Sequence, residues 1–378
     1  MRIVFWQHQI SITDIPYISQ VAEDKRVEHL TLVANDINDY RKKMGWDSKI
    51  LNSENIKFKV CLNPTFDNIK DIIKSNTLNS IHLFSGLNAY PHVFYAFKES
   101  LNYSLRRCII AERPMTYYAG VDWLKPLWLH RLYFNIKNKE YINSIDSVFG
   151  IGEESCDYYR SINNKWKIFP FIYCTQNNQC FNNNHAPQPF CKIVYVGSLS
   201  RRKSVITLLK AFLYLKKNNE DHILSLDVIG SGDFETRLKK YAQVHHLDNV
   251  KFLGMKMNDE IQKCLSSYDV LVLPSIHDGW GAVANEGLQA GLYTIVSDHC
   301  GSKEIINNNR LGTVFKMGKH KDLANSLDYC ATHLSEIRKD SKYRRDWADN
   351  HISGKVIADY LVNCLISKNI VECPWKKE

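Results

Sequence analysis

The stretch "DVLVLPSIHDGWGAVANEGLQAGLYTIVSD" (269–298) contains a complete strand, helix and strand. The apolar runs "DVLVLPS" (269–275) and "LYTIVSD" (292–298) predict buried strands. Between them, "AVANEGLQA" predicts a helix that ends at Gly291, because glycine readily takes the left-handed conformation found at helix C-termini. Parallel strands joined through a helix are the unit of α/β folds, so this stretch predicts a parallel sheet.

The same alternation of apolar runs and amphipathic segments continues along the chain. The predicted strands are 2–6, 29–34, 57–62, 80–85 and 107–112 in the first half, and 191–198, 223–232, 250–254, 269–275 and 292–298 in the second. Between the halves, "YCTQNNQCFNNNHAPQPF" (173–190) is rich in Asn, Gln and Pro and has no periodicity, as in a linker. We therefore expect two Rossmann-like α/β domains with an active site in the cleft between them.

Composition excludes some classes of protein. A chain of 378 residues, 44% hydrophobic and 24% charged, is long enough for two folded domains and is neither disordered nor collagen-like. The formal net charge of +9 favours an anionic partner: a nucleotide, a nucleic acid or an anionic membrane surface. The basic residues are dispersed and no nucleic-acid-binding motif accompanies them, so we expect no nucleic-acid partner.

The cysteines and the N-terminus favour a cytoplasmic protein. Eleven cysteines are scattered without a C-x-x-C pair, as expected of reduced thiols. The short apolar run "IVFW" lacks the length of a signal-peptide core, and no run approaches the ~18 apolar residues of a membrane span. The basic, aromatic segment "MTYYAGVDWLKPLWLHRLYF" (115–134) is typical either of peripheral contact with the inner face of a membrane or of a pair of core helices.

Two loops that follow predicted strands have features of ligand-binding loops. In "GSLSRRK" (197–203), Gly197 permits a sharp turn and Lys203 lies just before a helix, which indicates either a phosphate site or a solvated basic turn. The loop "GSGDFE" (230–235) has only part of the dinucleotide fingerprint G-x-G-x-x-G, because Glu235 replaces the third glycine. It is weak evidence for NAD binding.

A third loop carries two acidic residues around the start of a helix. The free amides of Gly281, Ala282 and Val283 would point out of the helix N-terminus and suit a diphosphate. Glu286, one turn into the helix, could accept hydrogen bonds from ribose hydroxyls, and Asp278 could reach sugar hydroxyls beyond the phosphates. The alternatives are a helix-capping role for Asp278 and an exposed helical charge for Glu286.

From about residue 191 to 315 the chain resembles the C-terminal domain of family 4 glycosyltransferases, which are retaining enzymes of the GT-B fold. The resemblance rests on "VYVGSLSRRK", "LDVIGSGDFE", "VKFLGMKMNDEI", the opening stretch, "CGSKEII" and "LGTVF". Its most specific element is a pair of acidic residues separated by seven, with glycine, an aromatic residue and glycine between them. Asp278 and Glu286 around "GWG" have this spacing.

The resemblance implies a donor site in which Glu286 binds the ribose, Asp278 contacts the transferred sugar and Lys203 neutralises the diphosphate. The donor-binding residues implied are Gly197, Ser198, Arg202, Lys203, Gly254, Met255, Asp278, Gly279, Trp280, Gly281, Ala282, Val283 and Glu286. Ser198 stands where the family usually has Arg, so Arg201 or Arg202 is expected to compensate. Asp278, His82 and His8 are the catalytic candidates; the alternative for His82 is a core histidine.

The resemblance also implies a function and an arrangement of domains. The implied protein is a metal-independent transferase with no cofactor, which moves a sugar from a nucleoside diphosphate sugar, UDP-sugar favoured, to a glycan or lipid-linked glycan in surface polysaccharide biosynthesis. The alternatives are a sugar-nucleotide epimerase and a non-catalytic sugar-nucleotide-binding protein. The expected domains are an acceptor-binding domain (1–172), a linker (173–190), a donor-binding domain (191–345) and a helical tail (346–378) that packs back towards the first domain.

Overall fold

The computed structural model describes residues 1–43, 46, 51, 56–114, 127–176, 189–218, 224–367 and 371–377. The chain divides into two compact units. The N-terminal unit comprises Met1–Cys174 and Gly354–Cys373, and the C-terminal unit comprises Thr175–Ser353 and Pro374–Glu378. Most of the predicted linker, residues 177–188, lies outside the described residues.

Strands and helices alternate along both units. The strands are β1 (Arg2–Gln9), β2 (His29–Asn35), β3 (Lys59–Leu62), β4 (Ser80–Ser85), β5 (Arg106–Ala111), β6 (Ser147–Ile151), β7 (Lys167–Phe171), β8 (Cys191–Val196), β9 (Leu224–Ile229), β10 (Val250–Gly254), β11 (Val270–Leu273), β12 (Tyr293–Ser297) and β13 (Gly312–Phe315). The helices are α1 (Ile15–Glu23), α2 (Asp39–Lys43), α3 (Phe66–Ser75), α4 (Pro91–Ser100), α5 (Leu127–Lys137), α6 (Glu153–Ile162), α7 (Val205–Lys217), α8 (Glu235–Val244), α9 (Asn258–Leu265), α10 (Val283–Ala290), α11 (His320–Thr332), α12 (Leu334–Lys339), α13 (Ser341–His351) and α14 (Gly354–Ile366). Among the described residues, no helix is long and apolar enough to cross a membrane.

The N-terminal unit is built on a parallel sheet in the order β3-β2-β1-β4-β5-β6-β7. Its central strands are buried on both faces, as expected of a parallel sheet covered by helices on each side. Helix α14, from the end of the chain, packs on α1 in this unit. The contact is close at Gly354, where an added methyl group would lie 2.6 Å from the carbonyl oxygen of Pro16. The Tyr360 hydroxyl further donates a hydrogen bond to the Pro170 carbonyl (2.9 Å).

The C-terminal unit has a second parallel sheet, in the order β10-β9-β8-β11-β12-β13. Its core lies between the sheet and helices α7 and α11, with Tyr195, Phe212 and Leu327 among its buried side chains. The other face of the sheet is covered by α9 and α10. Two parallel sheets with helical crossovers confirm the predicted α/β class and the prediction of two Rossmann-like domains.

The ten strands predicted from the sequence are all present. Helix α10 is present as well, and Gly291 ends it with φ of +85°, in the left-handed conformation that the sequence prediction required. The sequence interpretation missed β6, β7 and β13.

Helix α10 is fixed at its C-terminus by a buried arginine on α13. The Arg344 guanidinium donates hydrogen bonds to the carbonyls of Gly291 (2.8 Å), Arg310 (3.0 Å) and Ile337. Burial lowers the pKa of Arg344 to about 10. These bonds satisfy three backbone carbonyls, so Arg344 ties the end of α10 to α12 and α13.

Replacing this arginine should destabilise the protein. Arg344→Met leaves the three carbonyls without their donor, and we expect the free energy of unfolding to fall by about 3 kcal/mol. Urea denaturation followed by circular dichroism measures the change. Lys342→Met is the matched control, because Lys342 lies on the same helix in an exposed ion pair with Asp346 (2.7 Å) and should cost less than about 0.5 kcal/mol. Equal losses in the two variants would contradict the anchoring role of Arg344.

Candidate active site

The candidate site lies where the strand order of the C-terminal sheet reverses. From the central strand β8 the chain builds β9 and β10 on one side, and then crosses back to place β11, β12 and β13 on the other. Such a reversal leaves an open crevice at the carboxyl ends of the two strands beside it, which are β8 and β11 here. The loops that follow these two strands carry Lys203 and Asp278.

Lys203 and Asp278 form a partly buried ion pair across these loops. The Lys203 ammonium donates a hydrogen bond to Asp278 Oδ2, and Arg202 NH1 lies 3.5 Å from Asp278 Oδ1. Arg202 also donates to the carbonyl oxygen of His277 (2.9 Å). Burial raises the pKa of the Asp278 carboxyl, but the two neighbouring cations outweigh this effect and hold the pKa below its usual value. Asp278 is therefore ionised and held by two cations.

The backbone around Asp278 is fixed by the loop that follows β12. Asp278 forms a bridge with Cys300: its amide donates to the His299 carbonyl (3.1 Å), and its carbonyl accepts from the Gly301 amide (3.1 Å). Asp278 therefore adds a short extension to the sheet beyond the end of β11. Its carboxylate is consequently positioned by the backbone as well as by its ion pairs.

The N-terminus of α10 begins beside this carboxylate. Gly281 has φ of +91°, which glycine adopts without strain, and a methyl group added to it would lie 3.6 Å from Asp278 Oδ2. The first turn is closed by bonds from Ala284 N to Gly281 O (2.9 Å) and from Asn285 N to Ala282 O (3.0 Å). The preceding amides point out of the helix end, where the helix dipole favours an anion. Asp278, the cation Lys203 and this helix end thus meet at one place.

Trp280 holds the turn that precedes α10. Its ring is buried and its Nε1–H donates to Asn285 Oδ1 (2.9 Å), also buried. The predicted donor residue Trp280 thus has a structural role for its side chain. That the amides from Trp280 to Val283 contact phosphate stays a prediction.

Glu286 lies in the first turn of α10 and is buried without a partner. Among the described residues, no side chain or amide bonds or pairs with its carboxylate. Burial alone raises the pKa of Glu286 to about 7. The two acidic residues therefore differ: Asp278 is neutralised by two cations, whereas the described residues offer no cation or donor to the Glu286 carboxylate.

The glycines of "GSGDFE" allow the loop after β9 to pack closely against the loop after β8. A methyl group added to Gly230 would lie 1.9 Å from the Gly197 carbonyl oxygen, and one on Gly232 would lie 2.5 Å from the Leu199 carbonyl oxygen. A side chain at either position would clash with the backbone of the loop after β8, so close packing of the two loops accounts for these glycines.

The remaining predicted donor residues lie in loops at the same edge of the sheet. Gly197 and Ser198 follow β8, and the Ser198 carbonyl accepts a hydrogen bond from the Tyr195 hydroxyl (2.9 Å). Of the two arginines expected to compensate for Ser198, Arg202 is the one beside Asp278. Gly254 ends β10, and the Met255 side chain after it is exposed. Their contact with a nucleotide stays a prediction.

The two predicted histidines of the N-terminal unit have different surroundings. His82 lies in the middle of β4, paired in register with Val4, and is fully buried. It accepts a hydrogen bond from Trp6 Nε1 (3.1 Å), its other nitrogen lies 3.1 Å from the Asn76 carbonyl, and burial lowers its pKa to about 4. This placement favours the core alternative. His8, in contrast, lies near the carboxyl end of β1 and stacks on Tyr90 (3.8 Å between ring centres).

The structure adds a buried acidic group after β1, Asp14, that the sequence interpretation missed. Asp14 follows β1 at the carboxyl edge of the N-terminal sheet and is buried. Burial raises the pKa of Asp14 to about 7. Its position in the loop that follows the first strand was the available signal, because that edge is where such sheets bind ligands.

Residues 178–351 match the family described as glycosyl transferases group 1. The matched segment covers nearly all of the C-terminal unit, including Lys203, Asp278 and Glu286. An uncharacterized glycosyltransferase of Methanocaldococcus jannaschii is 35% identical over 117 residues, which are 31% of this chain and 29% of that protein. The amylovoran biosynthesis glycosyltransferase AmsK of Erwinia amylovora is 29% identical over 140 residues, 35% of this chain and 34% of that protein. The matches thus span about a third of the length of these curated relatives.

Solved structures match over almost the entire chain. HepE of Anabaena, solved with UDP and glucose, has a TM-score of 0.69 and 13% identity and covers 97% of this chain and 99% of its own. The lipopolysaccharide outer core galactosyltransferase WaaB has a TM-score of 0.68 and 14% identity, with 98% and 100% covered. At this identity the similarity shows the fold alone. It confirms the GT-B class expected for two Rossmann-like domains.

The unpartnered carboxyl of Glu286 should make ligand-free stability depend on pH. Its pKa is 4.5 when unperturbed and about 7 in the fold, so between these values the folded protein binds the extra proton. The free energy of unfolding therefore falls as pH rises through this interval, by at most about 3 kcal/mol. Glu286→Gln removes this loss, so the variant should be the more stable protein at pH 8, and the difference should shrink to about 1 kcal/mol or less at pH 5.

Urea denaturation at both pH values measures the effect. Glu336→Gln, at the acidic residue in the first turn of α12, is the control and should change stability little at either pH. A Glu286→Gln protein that is less stable than the parent at pH 8 would show that the carboxylate has a partner in the native fold.

Proposed function

We propose that the protein is a retaining glycosyltransferase that transfers a sugar from a nucleoside diphosphate sugar to a glycan or lipid-linked glycan. The proposal rests on two different carboxyl groups near the N-terminus of α10. Glu286, in the first turn, is buried without a partner among the described residues, and Asp278, before the helix, forms ion pairs with cations. This arrangement lies within the segment that matches glycosyl transferases group 1. The proposal assigns one part of the donor to each group.

The diphosphate of the donor binds at the N-terminus of α10. The amides that precede Ala284 donate to phosphate oxygens, and the helix dipole adds positive potential. Lys203 is close enough to share its ammonium between Asp278 and the phosphate, because it already reaches the carboxylate beside Gly281. Arg202 continues to neutralise Asp278 when Lys203 turns towards the ligand.

The ribose binds at Glu286. Two neighbouring hydroxyls are donors that a carboxylate can accept together, and they supply the partners that the carboxylate lacks in the described residues. The hydrogen bonds favour the ionised form, so binding lowers the pKa of Glu286 from about 7. A buried carboxyl that is costly in the free protein thereby becomes satisfied in the complex.

Asp278 accepts hydrogen bonds from hydroxyls of the transferred sugar. In the reaction, the bond between the anomeric carbon and the diphosphate oxygen breaks, and the acceptor oxygen forms a bond to the same carbon on the same face. The proton of the acceptor hydroxyl passes to an oxygen of the departing diphosphate. Lys203 and the α10 amides stabilise the negative charge that develops on this leaving group.

These cationic groups replace the divalent metal that other sugar transferases use, so we propose chemistry without a metal or other cofactor. UDP-sugars are the favoured donors. HepE, which shares the fold, was solved with UDP and glucose, and this supports the choice of base without fixing it. In this proposal the base lies beside Gly254 and the exposed Met255, at the end of β10.

The acceptor binds at the carboxyl edge of the N-terminal sheet, where His8 and Asp14 lie. Carboxyl and imidazole groups at this edge suit the hydroxyls of a glycan. A role in surface polysaccharide biosynthesis is supported by AmsK, a protein named for amylovoran biosynthesis. We propose that the protein is cytoplasmic, because that compartment supplies nucleotide sugars to the donor site.

A panel of donors tests this function. We expect the purified protein, supplied with glycan and lipid extracts, to release nucleoside diphosphate from sugars of one base among UDP-, GDP- and ADP-sugars. Added EDTA should leave the rate unchanged, because the charge on the diphosphate is neutralised by the protein. The anomeric configuration of the product, read by proton NMR, should match that of the donor.

Other outcomes identify the alternatives. Interconversion of the donor sugar without release of the nucleotide would indicate an epimerase. Binding without any turnover across the panel would indicate a non-catalytic sugar-nucleotide-binding protein. Activity that EDTA abolishes and Mn²⁺ restores would overturn the metal-free part of the proposal.

The ribose assignment predicts a specific loss of affinity. Glu286→Ala removes the acceptor of both hydroxyl hydrogen bonds, and we expect the Kd for UDP-glucose, or for the donor found in the panel, to rise by roughly tenfold to a hundredfold. Isothermal titration calorimetry at pH 8 measures the change. Glu336→Ala serves as the control on the same unit and should keep the parent affinity. Unchanged affinity in Glu286→Ala would remove Glu286 from the donor site.

A further inference from the structure

Helix α5 of the N-terminal unit presents an exposed apolar surface, which we call the α5 face. It consists of five large apolar side chains that are exposed to solvent: Trp128 (60%), Leu129 (41%), Leu132 (51%), Tyr133 (62%) and Ile136 (71%). At about 100° per residue, Leu129, Leu132 and Ile136 lie along the middle of this face, with Trp128 and Tyr133 at its two sides. Nearly half of an eleven-residue helix is therefore apolar and exposed on one side.

The opposite side of α5 fixes the rotation of the helix. Leu127 and Phe134 pack against the core of the N-terminal unit, and the Phe134 ring meets Trp166 edge to face (6.5 Å between ring centres). The buried Asn138, just past the helix end, donates to the Phe134 carbonyl (2.9 Å) and accepts a hydrogen bond from Asn88 (2.8 Å). The apolar side chains of the α5 face consequently cannot turn inward without breaking this packing.

The charges around the α5 face are mainly positive. The helix sequence "LWLHRLYFNIK" has no acidic residue. Of its two cations, Lys137 lies beside the face, whereas Arg131 is on the other side of the helix with a buried Nε. The Lys137 ammonium lies 5.5 Å from the centre of the Tyr133 ring, at the border of the apolar surface. Lys139 and Glu140, both exposed, follow in the turn after the helix. With a chain charge of +9, this border favours an anionic surface.

We propose that the α5 face docks the N-terminal unit onto an anionic membrane surface. An amphipathic helix with Leu and Ile at the centre, aromatic rings at the sides and cationic groups at the border suits a position at the level of lipid headgroups. Trp and Tyr are enriched at that depth because their rings are part apolar and part polar. This inference goes beyond the donor chemistry, because it concerns another unit and requires no sugar transfer.

A second copy of the chain fits the α5 face less well. Eleven residues at about 1.5 Å each make a helix of roughly 16 Å, and a surface about 10 Å wide on it buries only a few hundred Å² a side. A stable protein interface needs roughly 1,200 Å² in total. A membrane needs no matching protein surface and can bury the same side chains without this minimum area.

The test is co-sedimentation of the full-length protein with vesicles. We expect binding to vesicles of phosphatidylcholine containing a quarter phosphatidylglycerol, and much weaker binding to phosphatidylcholine alone. The triple variant Leu129→Ser, Leu132→Ser, Ile136→Ser should lower the fraction bound to anionic vesicles about tenfold or more, because it removes the centre of the α5 face. A Lys137→Ser, Lys139→Ser variant should weaken binding most at low salt.

A double variant at exposed apolar residues outside α5, Leu78→Ser with Val244→Ser, is the matched control and should bind like the parent. Circular dichroism and donor affinity show that each variant is folded. The proposal fails if the parent does not bind anionic vesicles, or if the triple variant and the control bind them equally. It also fails if the triple variant only converts a dimer to a monomer in sedimentation velocity, since that result assigns the face to a second copy. A protein that consumes no sugar donor can still bind vesicles through the α5 face. Failure of the proposed function and failure of the docking proposal are therefore distinguishable.

Discussion

The ion pair between Lys203 and Asp278 holds the candidate site together. It joins two loops that are 75 residues apart in sequence, at the carboxyl ends of neighbouring strands β8 and β11. Parallel pairing of these strands brings the loops to one edge, and the charges then fix their separation. A buried aspartate without these cations would suffer the full cost of desolvation. The pair therefore allows an anionic group to sit beside a helix end prepared for another anion.

Glu286 shows the opposite solution to the same problem. Its carboxyl is buried on the same short helix, yet the described protein provides no cation or donor for it, and burial raises its pKa to about 7. Proteins keep such groups where a ligand supplies the missing partners, and stability is lost in the absence of the ligand. Arg344, at the other end of the same helix, offsets part of this cost by anchoring the Gly291 carbonyl.

The sequence was sufficient for the elements whose pattern is local. Ten strands, helix α10 and its end at Gly291 follow from apolar runs and one glycine. The strands that were missed have weaker local signals: β7 contains Pro170, which its place at the sheet edge tolerates, and β13 is a four-residue edge strand. The role of His82 depended on register, which only the pairing with Val4 reveals. The partners of Asp278 were predicted as separate ligand contacts, and only strand adjacency shows that they also bind one another.

The return of α14 to the N-terminal unit affects the order in which the protein can fold. Helix α1 spans Ile15–Glu23, but the helix that packs on it, α14, spans Gly354–Ile366. The chain then returns to the C-terminal unit, where Trp375 is buried. On a ribosome, all six strands of the C-terminal sheet are thus made between α1 and its partner helix. The apolar α1 surface stays open until α14 has emerged.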